Sequence, residues 1–195
     1  MDLTNNLLIS EAIIYAAQLH KNQHRKNSGF PYVVHPIDVL NTLGQWGLTA
    51  GDVNTAIAAI CHDVLEDCEV TQEQLSLKVG DKAAAIVSEL TFKVNSDSEV
   101  SAHAQKSSYL ESFKEKSVTA LVIKIADRIC NTIDFFTQDP VYAATYWGKA
   151  NELLKIAESR LADVRKEYGD RFTLKMRENI IKVSLMVVPY TKNPR

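Results

Sequence analysis

The chain has 195 residues, 46% of them hydrophobic, and a net charge of −2. That length and apolar share suit one domain with its own core. The charge balance lacks the basic excess of a nucleic-acid binder, and no apolar run approaches the roughly 20 residues that span a bilayer.

Helical periodicity dominates and strand alternation is scarce, so an all-α fold is expected. Residues 4–20 read as a first helix with Leu7, Ile14 and Ala17 on its apolar side. The opening MDLTNNLLISEAIIYAAQ carries acids and no basic start, so it does not read as a signal peptide. Residues 21–34 break the pattern, with Gly29 and Pro31 marking a loop. Pro36 suits the first turn of a helix over 36–46 and places His35 at its mouth. A third helix is expected over 52–67. Thr71 and Gln74 form a capping-box pattern that opens a short helix ending near Gly80. Another helix covers 81–92, and the polar stretch 94–101 reads as a mobile connection. Helices follow near 102–115, 118–136, 140–160 and 170–187, and the tail PYTKNPR is expected to be loose. With no internal repeat and no dividing linker, residues 1–195 are expected to form a single domain.

The three cysteines, Cys61, Cys68 and Cys130, are odd in number and show no C-x-x-C pair. That argues against a disulfide framework or a zinc knuckle and for a reduced, cytoplasmic setting.

Three polar groups interrupt this apolar pattern. In AIAAICHDVLED, a helix apolar nearly all round carries His62, Asp63, Glu66 and Asp67. On a continuous helix His62 stacks above Glu66 and Asp63 above Asp67, giving one polar wall. Unpaired at a core edge, such groups destabilise by several kcal/mol, and a divalent cation would neutralise them. A solvated helix end gives the same pattern, although acids there oppose the helix dipole. In ALVIKIADRICN, Lys124, Asp127, Arg128 and Asn131 share one face at i, i+3, i+4 and i+7. Asp127 can complete a metal shell while the cations and Asn131 hold an anion; an exposed charged face looks alike. The loop before His35 carries Lys21, His24, Arg25 and Lys26, which suits phosphate groups or an ordinary basic loop. His20 and His103 receive no role.

Taken in order, Arg25-Lys26, then Gly29, Pro31-Tyr32 and His35-Pro36, then HDVLED from His62 to Asp67, then IKIADRICN from Ile123 to Asn131 resemble a known family. The segments look like the hydrolase domain of the RelA/SpoT family and its small stand-alone alarmone hydrolases. The resemblance covers roughly residues 10–160, with C-terminal helices over 161–188 beyond it. It implies an all-α HD fold and one manganese ion held by His35, His62, Asp63 and Asp127. It implies Glu66 and Asp67 as the catalytic acid pair, Arg25 and Lys26 facing substrate phosphates, and Asn131 at the nucleoside pocket. Lys93 is expected to help neutralise the leaving pyrophosphate.

The implied reaction removes pyrophosphate from the 3′ position of guanosine tetra- or pentaphosphate. The chain stops where long members continue into a synthetase, so a hydrolase-only protein is expected. Two imidazoles and two carboxylates suit Mn²⁺, with Glu66 activating water and Asp67 assisting proton transfer. Hydrolysis of another nucleotide, an adenosine alarmone or a phosphorylated nicotinamide dinucleotide, remains an alternative. A non-catalytic nucleotide-binding module fits less well, because both the ligands and the acid pair are present.

Overall fold

The computed structural model describes residues 3–26, 28–49 and 51–191. Among them are eleven α-helices and no strand beyond an isolated bridge between His24 and Pro31. In chain order the helices are α1 (Leu3–Leu19), α2 (Val34–Trp46), α3 (Val53–Cys61), α4 (Val64–Asp67), α5 (Gln72–Val79) and α6 (Asp81–Leu90). They continue as α7 (Ala102–Glu111), α8 (Val118–Phe136), α9 (Pro140–Gly148), α10 (Asn151–Ser159) and α11 (Leu161–Val187).

Helix α8 explains the arrangement. Its side chains from Val118 to Ile129 are all buried, and a helix covered on every side belongs at the centre. Ser117 opens it by accepting the Ala120 N–H. Helices α2, α6, α9 and α11 pack around α8, α3 lies against α2 and α6, and α1 covers α3. Leu43, Trp46, Ile60, Leu121, Ile125 and Phe172 are fully buried in the resulting core. Burying an aliphatic or aromatic side chain of this size stabilises by about 1.5–3 kcal/mol. Trp46 meets Phe172 edge-on with ring centroids 5.5 Å apart, and its Nε1 donates to Asn179 Oδ1 at 2.5 Å.

The capping box at α5 forms as expected: Gln74 N–H donates to Thr71 Oγ1 at 3.2 Å, and Thr71 N–H donates to Gln74 Oε1 at 3.0 Å. Helix α1 seats on α3 through buried Ala12 and Ala16, so the expected apolar side is turned outward and Leu7 and Ile14 are exposed. Small residues allow close approach there. The 94–101 stretch is clasped by Gln105, whose Nε2 donates to the carbonyls of Asn95 at 3.0 Å and Val100 at 2.7 Å. The tail begins with a 3-10 turn over Val188–Tyr190, and residues 192–195 lie outside the described residues.

Two expected helices are interrupted, and the last begins earlier than expected. The 52–67 helix stops at Cys61 and resumes at Val64, with Asp63 at φ −99° and ψ −5° between. Successive residues of a regular helix point about 100° apart, yet His62 Nε2 and Asp63 Oδ2 lie 3.0 Å from each other. At this break both face one point, while the Asp67 N–H still donates to the Asp63 carbonyl at 2.8 Å, so Asp67 stays one helical turn beyond Asp63. The 140–160 helix divides into α9 and α10 around Lys149 and Ala150. The last helix starts at Leu161 rather than 170, but Gly169 divides it at φ 83° and ψ 173°. That backbone region is open essentially to glycine alone. Gly169→Ala is expected to destabilise the fold by about 1–3 kcal/mol. The urea midpoint measures this; an unchanged midpoint would show that the kink is not obligatory.

Candidate active site

Three elements bring the polar groups together. Pro36 sits in the first turn of α2 and leaves His35 buried at the helix mouth. Its Nε2 lies 3.2 Å from Asp127 Oδ1 and 3.8 Å from Asp63 Oδ2. His62 follows α3, with Nδ1 2.8 Å from the carbonyl of Ala59. A carbonyl only accepts, so Nδ1 carries a proton and Nε2 is the nitrogen whose lone pair is freed when the ring is neutral. That Nε2 is fully buried and has no hydrogen-bond partner. It lies 3.0 Å from Asp63 Oδ2 and 3.8 Å from Asp127 Oδ1. The ligand atoms of His35, His62 and Asp127 all fall within 4.8 Å of one another.

This donor set fits a divalent cation. A buried imidazole nitrogen with no donor, beside two carboxylates, is costly to leave unpartnered. The Nδ1–H to carbonyl bond is the outer contact that orients metal-binding histidines. Burial disfavours a charge on His62, but the carboxylates of Asp63 and Asp127 outweigh it and raise its pKa to about 9. That proton must leave when a cation binds. Burial opposes ionisation of Asp127, yet Lys124 and the histidines hold its carboxyl well below the usual range. Lys124 Nζ lies 2.9 Å from Asp127 Oδ2. Against the cost of its own burial, Lys124 stays charged through Asp127.

Tyr32, quoted in the sequence motif without a role, donates its hydroxyl to Asp63 Oδ2 at 2.6 Å. Burial, then the charge of Asp63, pushes the Tyr32 phenol far up, so it remains a donor. Buried His20 stacks behind its ring, with centroids 4.7 Å apart.

The site opens into a cavity of about 400 Å³ lined by acids and cations together. Asp63, Glu66, Asp67 and Asp127 meet Lys106, Lys124, Arg128 and Lys149 there. Glu66 Oε2 accepts the Phe92 N–H at 3.0 Å. Burial pushes the Glu66 carboxyl up, and that hydrogen bond draws it part of the way back. Burial and the neighbouring Asp63 push Asp67 up as well. The Arg128 guanidinium lies 4.2 Å from the ring centroid of Tyr146, and its buried Nε has no partner. Lys106 packs over Phe92 at 4.3 Å. Burial and the nearby Lys124 lower its pKa.

Of the residues expected from sequence, His35, His62 and Asp127 cluster at one point, while Asp63 Oδ2 reaches both imidazoles but lies outside that mutual cluster. Glu66, Asp67 and Asn131 line the cavity beside it. Lys26 and Lys93 are exposed and do not line it. Arg25 reaches Asn131 but lines a separate cleft of about 600 Å³ between α2 and α8. Tyr146 and Lys149 carry no pattern that marks them in the sequence; the packing of α9 on α8 brings them in.

The family described as HD domain matches residues 12–156. The chain belongs to the HD-domain family. This HD domain is 31% identical over 135 residues to the Danio rerio guanosine-3′,5′-bis(diphosphate) 3′-pyrophosphohydrolase MESH1, covering 69% of this chain and 72% of that protein. The Xenopus tropicalis MESH1 is 35% identical over 130 residues, covering 65% of this chain and 69% of that protein. A solved structure described as a metazoan ortholog of SpoT that hydrolyses ppGpp superimposes with a TM-score of 0.71 at 25% identity, over 91% of this chain and 96% of that one. The HD domain also matches much longer bacterial proteins. It spans 18% of the length of a Myxococcus xanthus GTP pyrophosphokinase, at 31% identity over 140 residues.

Proposed function

We propose that this HD-domain protein is a Mn²⁺-dependent, cytoplasmic hydrolase that removes the 3′-pyrophosphate of guanosine 3′,5′-bis(diphosphate) and its pentaphosphate, leaving GDP or GTP. One observation carries the reading. The unpartnered, buried Nε2 of His62 meets His35, Asp63 and Asp127 at the edge of a cavity that also holds four cationic side chains. The names of the MESH1 relatives and of the superimposed structure support the choice of substrate.

His35, His62, Asp63 and Asp127 would hold the ion. When bound, it polarises the phosphorus centre and lowers the pKa of water. Glu66 is held by Phe92 through Oε2, which leaves its other oxygen to orient the attacking water and take its proton. The new P–O bond forms to that water as the bond from phosphorus to the 3′ oxygen breaks. Asp67, its carboxyl pushed up by burial, supplies the proton that the 3′ oxygen needs. Lys106, Lys124 and Arg128 neutralise phosphate charge, and the stack on Tyr146 pre-orients the Arg128 guanidinium. Asn131 stands on the nucleoside side of the cavity. In this reading Arg25 supports the wall, while Lys26 and Lys93 stay outside it.

The test incubates the metal-stripped protein with guanosine 3′,5′-bis(diphosphate), an adenosine alarmone and NADPH, with and without Mn²⁺, and separates the products. Pyrophosphate and GDP in equal amounts, only with Mn²⁺ and foremost from the guanosine substrate, are expected. Release of inorganic phosphate alone, or turnover confined to another nucleotide, would overturn the assignment.

A further inference from the structure

Asp127, Asn131 and Asp134 lie at i, i+4 and i+7 on one face of α8, and Arg25 joins them from the loop before α2. Arg25 Nε and Nη2 both donate to Asp134 Oδ2, at 3.2 and 2.8 Å. The same Nη2 donates to Asn131 Oδ1 at 2.7 Å. Asn131 Nδ2 donates to Asp127 Oδ1, the oxygen that faces His35 and His62.

We propose that Asp134 is a positioning residue for the metal site, acting on Asp127 through Arg25 and Asn131. The inference rests on the metal reading above, in which Asp127 is a ligand. A guanidinium has donors and no acceptor, so it fixes which end of the Asn131 amide turns toward it. The oxygen must face Arg25, and the NH₂ is then directed at Asp127. Lys124 holds the other carboxylate oxygen, so both oxygens of Asp127 are pinned and Oδ1 is left aimed at the two imidazoles. The pinning depends on Arg25 staying in place, and Asp134 is the carboxylate that holds it. The Arg25 side chain is 11% exposed, so the pair is screened far less than a surface ion pair. Arg25 also lies 5.7 Å from the ring centroid of Tyr32, whose hydroxyl donates to Asp63.

Asp134 lines the cleft between α2 and α8 rather than the cavity that holds Glu66, Asp67 and Asp127, and Mn²⁺ affinity measured without substrate reads its effect on the metal site alone. Outer contacts of this kind set metal affinity as well as geometry.

The experiment measures Mn²⁺ affinity of the metal-stripped full chain by titration calorimetry and by electron paramagnetic resonance of free Mn²⁺. Four proteins are compared: the wild type, Asp134→Asn, Asn131→Ala and the double variant. Asp134→Asn is expected to weaken binding by roughly tenfold or more. The double variant should bind close to the weaker single variant, because both cut one chain of contacts. A general loss of packing would lower Tm without that lack of additivity. Should Asp134→Asn not fold, Arg25→Lys replaces it, since an ammonium cannot hold Asp134 and Asn131 with the fork geometry of arginine. Equal Mn²⁺ affinity in wild type and Asp134→Asn, or losses that multiply in the double variant, overturns the relay alone. A wild type that binds no Mn²⁺ overturns the metal reading and the relay together.

Discussion

His62→Ala is expected to abolish Mn²⁺ binding and to lower turnover at least about a thousandfold, since a catalytic ion supplies several kcal/mol of transition-state stabilisation. The reason is local. His62 Nε2 is fully buried, has no hydrogen-bond partner and sits 3.0 Å from Asp63, so its removal takes away the donor that nothing else in the site replaces. The imidazole is small and lies at the end of α3, so the helical fold should survive. Calorimetric titration with Mn²⁺ checks the prediction, with far-UV circular dichroism confirming that the variant is folded. A folded His62→Ala protein that binds Mn²⁺ as tightly as the wild type would sink the four-residue assignment.

Glu66→Gln separates chemistry from binding. The substitution keeps the shape, and the amide oxygen can still accept the Phe92 N–H. What it removes is the ability to take a proton. Turnover should fall by about 10²–10⁴-fold, the usual contribution of a general base, while Mn²⁺ affinity changes little. The pH profile adds a second signature. A base must be ionised to act, so activity rises as pH increases through the pKa of Glu66, which burial places above the usual carboxylate range. The wild-type acidic limb should therefore lie above the ordinary glutamate value, and the residual activity of the variant should lack it. Near-normal kcat in Glu66→Gln would remove Glu66 from the role.

Much of this was legible in the chain because the signals are local. The long apolar run of α8 with one polar stripe marks a central helix that offers Lys124, Asp127, Arg128 and Asn131 to one side. Pro36 after His35 and the box at Thr71 and Gln74 mark helix starts by chemistry that a few neighbouring residues complete. The HDVLED pattern sets Glu66 and Asp67 one turn beyond His62 and Asp63, and the family resemblance implies that they are the acid pair.

Other features depend on partners far away in sequence. Periodicity carries 52–67 as one helix, because nothing near His62 is a helix breaker; the turn follows from directing His62 and Asp63 together toward His35 on α2 and Asp127 on α8. Arg25 and Lys26 look equivalent in the chain. Only the fold places Asp134 and Asn131 beside Arg25 and leaves Lys26 in solvent. Lys106 and Lys149 look like ordinary exposed cations until α7 and α9 bring them to the cavity.

By itself the sequence determined an all-helical chain, since helix periodicity is a property of neighbouring residues, and its resemblance to the RelA/SpoT hydrolases named the candidate metal ligands and acid pair. The tertiary structure alone decided which cations meet the cavity, how Tyr32 and Asn131 aim the two carboxylates, and where α3 must break. Those outcomes are set by contacts between segments up to about a hundred residues apart, such as Arg25 with Asp134 at a separation of 109, and no local pattern encodes a distance of that kind.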